Sequence, residues 1–230
     1  MPFQPDQLRA VVFDMDGVLI DSEVLYQKSA MQSAKEIGFE LSEELYMSVI
    51  GLPEEVGEAI IREAMGSDFS FEIYDQRYRQ ILAAEFKKHL PIKTGVRELL
   101  SLLKKLQIPV AVSTSANRKT ANNHLSRADL MPYFSTVVTC DDVDNGKPHP
   151  DPYLLAAQRL NVKPEDCLAL EDSHNGVRSA HGAGMQTIMV PDMLLATEEI
   201  AALCITVMND LHAVRDRFLA CEVMAVSQVD

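Results

Sequence analysis

The sequence predicts an α/β fold: a parallel sheet layered between helices (α/β/α), with a helical domain inserted after the first strand. Three observations carry that reading. Short apolar, β-branched runs recur through the second half of the 230-residue chain, each followed by a helix-length segment. Such alternation builds a parallel sheet with helices on both faces. A similar run, Ala10-Val11-Val12-Phe13, stands alone near the amino terminus, and between it and the alternating part residues 23 to about 88 hold no convincing strand.

The first strand is the run Ala10-Val11-Val12-Phe13, ended by Gly17. Helices follow at about 23–37, 42–49, 53–66 and 70–89, separated by Gly38, by Gly51-Leu52-Pro53 and by Gly66-Ser67-Asp68. A helix at about 95–106 leads to a strand over 109–113, a helix at 117–126, a strand over 136–139 and a helix at 151–160. Next come a strand over 167–170, a helix at 174–183, a strand over 186–190 and helices near 195–202 and 209–219, with 205–207 as a short edge strand. The tail, 222–230, shows no pattern and reads as peripheral. Residues 1–20 with 90–230 therefore form a Rossmann-like core domain, and 21–89 a helical cap domain.

Composition narrows the function. A chain 47% hydrophobic and 24% charged is globular, and no apolar stretch approaches the length of a bilayer span. The start, MPFQPDQLRA, lacks the basic-then-apolar order of a secretory signal, and Cys140, Cys167, Cys204 and Cys221 are too scattered for a metal motif. Free thiols and a cytoplasmic location are the expectation, with no membrane partner. A net charge of −13 argues against a nucleic-acid partner. An acidic protein that handles an anion must gather lysines locally.

Asp14 and Asp16 sit one residue apart where the first strand ends. In extended chain they would point the same way. Crowding two acids at a buried strand end is costly unless a cation or a chemical task accounts for it. A calcium loop does not: with Gly17 at loop position 6, position 1 would be Val12, and a strand precedes the motif instead of a helix.

Ligands of open parallel sheets bind beyond the carboxyl ends of the strands, and polar residues collect at the other ends too. Ser113-Thr114-Ser115 follows one strand, Asp141 to Pro148, with Lys147, the next, and Glu171-Asp172-Ser173 a third. Each has a plainer reading alone. Thr114, Ser115 and Ser173 could cap helices, and Glu171-Asp172 could be exposed acids at a helix start. Lys147 could be a solvated loop lysine, and its glycine makes no P-loop because position 141 is Asp. His149 and His174 read as loop and helix-start residues. Joint occurrence at four strand ends favours a site. The carboxylates suit Mg2+; lysine, hydroxyl and amides suit phosphoryl oxygens. One aspartate could attack phosphorus and the other move protons.

The set Asp14-Met15-Asp16-Gly17-Val18, Ser113-Thr114-Ser115, Lys147 in Gly146-Lys147-Pro148, and Glu171-Asp172-Ser173-His174-Asn175-Gly176 resembles the four motifs of the haloacid dehalogenase superfamily. The likeness is to its helical-cap branch, which holds β-phosphoglucomutase and small sugar-phosphate phosphatases. It implies Asp14 as nucleophile forming an aspartyl-phosphate, and Asp16 as proton donor and then base. It implies that Thr114, the Ser115 amide and Lys147 hold phosphate. Mg2+ would be bound by Asp14, the Asp16 carbonyl, Asp172 and, directly or through water, Glu171. Dehalogenases lack an acid at the position of Asp16. Mutases grip a second phosphate with His, Lys and Arg, where this chain has Tyr26, Ile50 and Glu54. The resemblance thus implies a monomeric Mg2+-dependent phosphatase of small phosphorylated metabolites. A phosphomutase and a non-catalytic phosphometabolite-binding module are the alternatives.

Overall fold

The computed structural model describes residues 8–52 and 54–226. Its sheet has six strands: β1 (Ala10–Phe13), β2 (Val110–Ser113), β3 (Thr136–Val138), β4 (Cys167–Glu171), β5 (Gln186–Met189) and β6 (Thr206–Val207). They lie in the order β3-β2-β1-β4-β5-β6 with every neighbouring pair parallel. Strands this short and apolar belong in the middle of a layered structure, because both of their faces need cover. Register shows how that is met. Val12 lies level with Ala111 and Ala169, while Phe13 lies level with Val112 and Leu170. The first row packs with Tyr153, Ala156 and Ala157 of α7 (Asp151–Leu160) and Ala180 of α8 (His174–Gly182). Side chains alternate across a strand, so the second, bulkier row faces the opposite side, where it too is buried.

The remaining core helices are α5 (Val96–Lys105), α6 (Arg118–Arg127), α9 (Glu198–Leu203) and α10 (Leu211–Val226). α5 buries Leu99, Leu100 and Leu103 and packs with α10. No helix of the described residues is long and apolar enough to cross a membrane.

The chain divides into two compact units, residues 1–20 with 92–230, and residues 21–91. The second is wholly helical: α1 (Glu23–Glu36), α2 (Glu43–Val49), α3 (Glu54–Met65) and α4 (Phe71–Lys88). α1 packs on α4 and α2 on α3 around Ala30, Ala34, Leu41, Ile61, Phe69 and Tyr74. The rings of Phe39 and Phe69 meet edge-on at 5.1 Å, and Ser33 Oγ donates to the Tyr74 carbonyl at 2.7 Å. Ser42 and Ser70 cap α2 and α4 by accepting from the amides of Leu45 and Ile73. Where the chain leaves and re-enters the sheet unit, Ile20 and Ile92 pair antiparallel.

Several sequence expectations are corrected. Extended chain does not continue from β1 to Asp16: the backbone bends at Met15, and Asp16 bridges to Ile20 around the turn at Gly17. β4 runs one residue further than expected and draws Glu171 into the sheet. α9 starts at Glu198, where Thr197 accepts from the Ile200 amide, and not near 195. α10 runs to Val226, where the sequence reading stops near 219; no glycine or proline follows Pro191 to Met193 to break it. Pro53, the tail beyond 226 and the side chains of Glu54 and Cys221 lie outside the described residues.

Past β3, Asp142 staples two helices. Its Oδ1 accepts from Arg159 of α7 at 2.8 Å. Its Oδ2 accepts from Arg118 of α6 and from the Thr139 amide and hydroxyl, the latter two at 2.8 and 2.7 Å. Burial pushes this carboxyl up, but the hydrogen bonds from Arg159 and Thr139 prevail and hold it below the usual aspartate range. Asp142→Ala should cost about 2–3 kcal/mol in urea unfolding at neutral pH, because charged donors lose their acceptor. A depressed carboxyl stabilises the fold above its unfolded pKa. The gap between wild type and variant should therefore narrow as pH falls below about 4.

Candidate active site at the strand ends

Strand order runs outward in opposite directions from the β1–β4 boundary, and in such sheets the crevice forms at that switch point. Asp14 is the first residue past β1, fixed by its amide donating to the Leu170 carbonyl of β4 at 2.9 Å. Glu171 is the last residue of β4 and is completely inaccessible. Lys147 arrives on the loop after β3, its side chain only 6% exposed. It is therefore no solvated loop lysine.

All three Lys147 ammonium protons have acceptors on these strand ends. They are Asp14 Oδ1, the Ser113 carbonyl at 3.0 Å and Glu171 Oε1 at 2.6 Å. Burial alone would lower the lysine's pKa, but the Asp14 and Glu171 charges prevail and hold it above the usual ammonium range. For Asp14, burial is the largest influence and pushes its carboxyl well up, against the pull of Lys147 and with the push of Glu171.

Asp14, Glu171 and Asp172 can each offer a carboxylate oxygen within 4.8 Å of the others. A group of carboxylate oxygens fits a hard divalent cation. The three are not equivalent. Glu171 Oε1 also accepts from the Tyr153 hydroxyl at 2.6 Å, and Oε2 faces the Asp172 amide at 3.2 Å and the Ser173 hydroxyl at 3.2 Å. That carboxylate is already engaged at both oxygens, whereas Asp172 is half-buried. The Asp16 carboxylate, half-buried on its turn, is outside the three-acid group.

Two glycines make room for these acids. Gly17 has φ +86, and a Cβ there would lie 2.1 Å from Asp172 Oδ2; a Cβ at Gly176 would lie 2.0 Å from the Glu171 carboxylate. Thr114 is buried beside Ser113, with its amide on the Val138 carbonyl and its Oγ1 accepting from the Ala116 amide at 3.0 Å. Ser115 beside it is exposed. Neither caps α6: Asn117 does, accepting from the Thr120 amide at 2.9 Å. Ser173 does cap α8, accepting from the Gly176 amide at 3.0 Å. The ring of His174 meets the Leu195 carbonyl, and His149 offers its carbonyl to Ser179.

The structure thus brings Asp14, Lys147, Glu171 and Asp172 together, with Thr114 on the adjoining strand end. Sequence reasoning missed Tyr153 and the Ser113 carbonyl. A tyrosine on an amphipathic helix reads as core, and a backbone carbonyl leaves no mark in a sequence.

The profile of the haloacid dehalogenase-like hydrolases matches residues 11–190. A phosphorylated carbohydrates phosphatase of Thermotoga maritima is 40% identical over 181 residues, covering 79% of this chain and 84% of that one. Hexitol phosphatase B of Escherichia coli is 29% identical, covering 81% and 85%. A crystal structure from Thermotoga maritima, provisionally assigned as a β-phosphoglucomutase, superposes with TM-score 0.77 at 34% identity, covering 91% and 99%.

Gly17→Ala should carry two penalties, a strained left-handed backbone and a methyl group against Asp172. We expect about 1–3 kcal/mol lost in thermal unfolding, and a smaller rise in melting temperature on adding Mg2+ than in wild type.

Proposed function

Because this chain belongs to the haloacid dehalogenase-like hydrolase family, we propose that it hydrolyses sugar or polyol monophosphates with Mg2+ through an aspartyl-phosphate. It is an enzyme, a phosphatase of that family. The observation that carries the reading is the buried Lys147 ammonium held against Asp14 at the switch point of the sheet.

In this reading an Asp14 oxygen bonds to phosphorus as the bond to the leaving alcohol oxygen breaks, and Asp16 donates a proton to that oxygen. A water molecule then attacks phosphorus, gives its proton to Asp16 and releases phosphate with the free Asp14 carboxylate. Lys147 stays beside Asp14 throughout, so phosphorus brought to one is brought to the charge of the other. Thr114 and the Ser115 amide hold further phosphate oxygens. Asp14, Asp172 and the Asp16 carbonyl would hold Mg2+, with Glu171 behind them. Bound there, the cation offsets the repulsion between a phosphate dianion and a carboxylate nucleophile. The Thermotoga phosphorylated carbohydrates phosphatase and the Escherichia hexitol phosphatase support a carbohydrate or hexitol phosphate as substrate. The helical unit 21–91 is where selectivity among them is expected.

A mutase reading draws on the Thermotoga structural neighbour, but Tyr26, Ile50 and Glu54 supply no positive charge for a second phosphate. Purified protein should release phosphate from hexose or hexitol monophosphates, and chelation of divalent ions should stop it. Asp14→Asn should lower the rate more than about a thousandfold. Interconversion of hexose phosphate isomers outpacing phosphate release would replace this reading with the mutase one.

A further inference from the structure

Tyr153 has no role in the chemistry proposed above, yet it touches two of that site's charged groups. It is completely inaccessible and heads the described residues so buried in size. Its hydroxyl donates to Glu171 Oε1 at 2.6 Å, and Lys147 Nζ stands over its ring 5.2 Å from the centroid. Packing alone would be served by a phenylalanine, since a buried phenol must also find a partner for its hydroxyl. The partner here is the oxygen that accepts from Lys147 at 2.6 Å.

A carboxylate oxygen has two lone pairs, and Glu171 Oε1 accepts from both Lys147 and Tyr153. With Oε2 turned to the Asp172 amide and the Ser173 hydroxyl, neither end of the carboxylate is left to swing. The ammonium is then bounded by Glu171 on one side and the aromatic face on another, an arrangement that favours a cation on electrostatic grounds.

We infer that Tyr153 is a positioning residue for the phosphate-binding lysine, fixing the Lys147 ammonium through Glu171 and through its own ring face. This rests on the phosphatase reading, in which Lys147 binds the phosphate. Tyr153 makes no contact with the reacting atoms in this role. Its hydroxyl bears on the binding of phosphate, and its ring on where the ammonium stands.

The test is Tyr153→Phe, which keeps the ring and deletes the hydroxyl. Calorimetric titration with inorganic phosphate in Mg2+ should give about tenfold weaker binding than wild type, the effect of losing one hydrogen bond to a charged group. KM should rise with it. Glu171→Gln and the double variant complete a cycle. If Tyr153 acts through Glu171, the double variant binds phosphate no more weakly than Glu171→Gln alone. A lower melting temperature with unchanged phosphate affinity and KM would reduce Tyr153 to a packing residue and overturn the inference, as would additive losses in the cycle. If wild-type protein binds no phosphate, the phosphatase reading itself falls and takes this inference with it. If wild type and Tyr153→Phe bind phosphate equally, only the inference falls.

Discussion

The Lys147 ammonium sits among acceptors from three neighbouring strand ends: Asp14 past β1, the Ser113 carbonyl of β2 and Glu171 of β4. Burying charge costs several kcal/mol per ion unless partners replace the lost water, so this arrangement constrains much of what surrounds it. It needs β2, β1 and β4 to be adjacent and in one register. Leu170 lies level with Phe13, which sets Glu171 beside Asp14. A slip of one residue would turn Glu171 to the opposite face of the sheet. It also needs room, left by the missing side chains at Gly17 and Gly176. Sheet order, register and two glycines all serve one cluster of charge.

The helical unit carries none of that burden. Its core is aromatic and its own, with Phe39, Phe69 and Tyr74 in contact, and serines close its helix ends. Because its stability does not draw on the charged cluster, its residues can vary with less effect on the chemistry.

Most of the fold was legible because its elements are strongly patterned: apolar β-branched strands, glycine breaks and amphipathic helices. Asp14, Lys147, Glu171 and Asp172 were legible because each follows a strand, and parallel sheets gather such residues at one edge. What escaped is non-local or conformational. Asp16 would share a side with Asp14 only in extended chain, and strand period says nothing once the chain bends at Met15. That Glu171 lies fully buried between Lys147 and Tyr153 leaves no local mark, because those partners are 24 and 18 residues away. The Asp14–Lys147 pair spans 133 residues. No local pattern encodes such a pairing; the motif resemblance implies only that Asp14 and Lys147 meet the same phosphate. The far end of α10 was missed because a helix without a breaker can outrun its apolar stripe.

The proposed hydrolysis turns on Asp14 taking the phosphoryl group onto its own carboxylate while Lys147 stands beside it. Rapid quenching of the enzyme during turnover of a sugar phosphate radiolabelled at phosphorus, followed by peptide mapping, tests this directly. Label should appear on the peptide containing Asp14 and be discharged by hydroxylamine, as an acyl phosphate is. Sustained phosphate release with no trapped label, or with label on a peptide lacking Asp14, would contradict it.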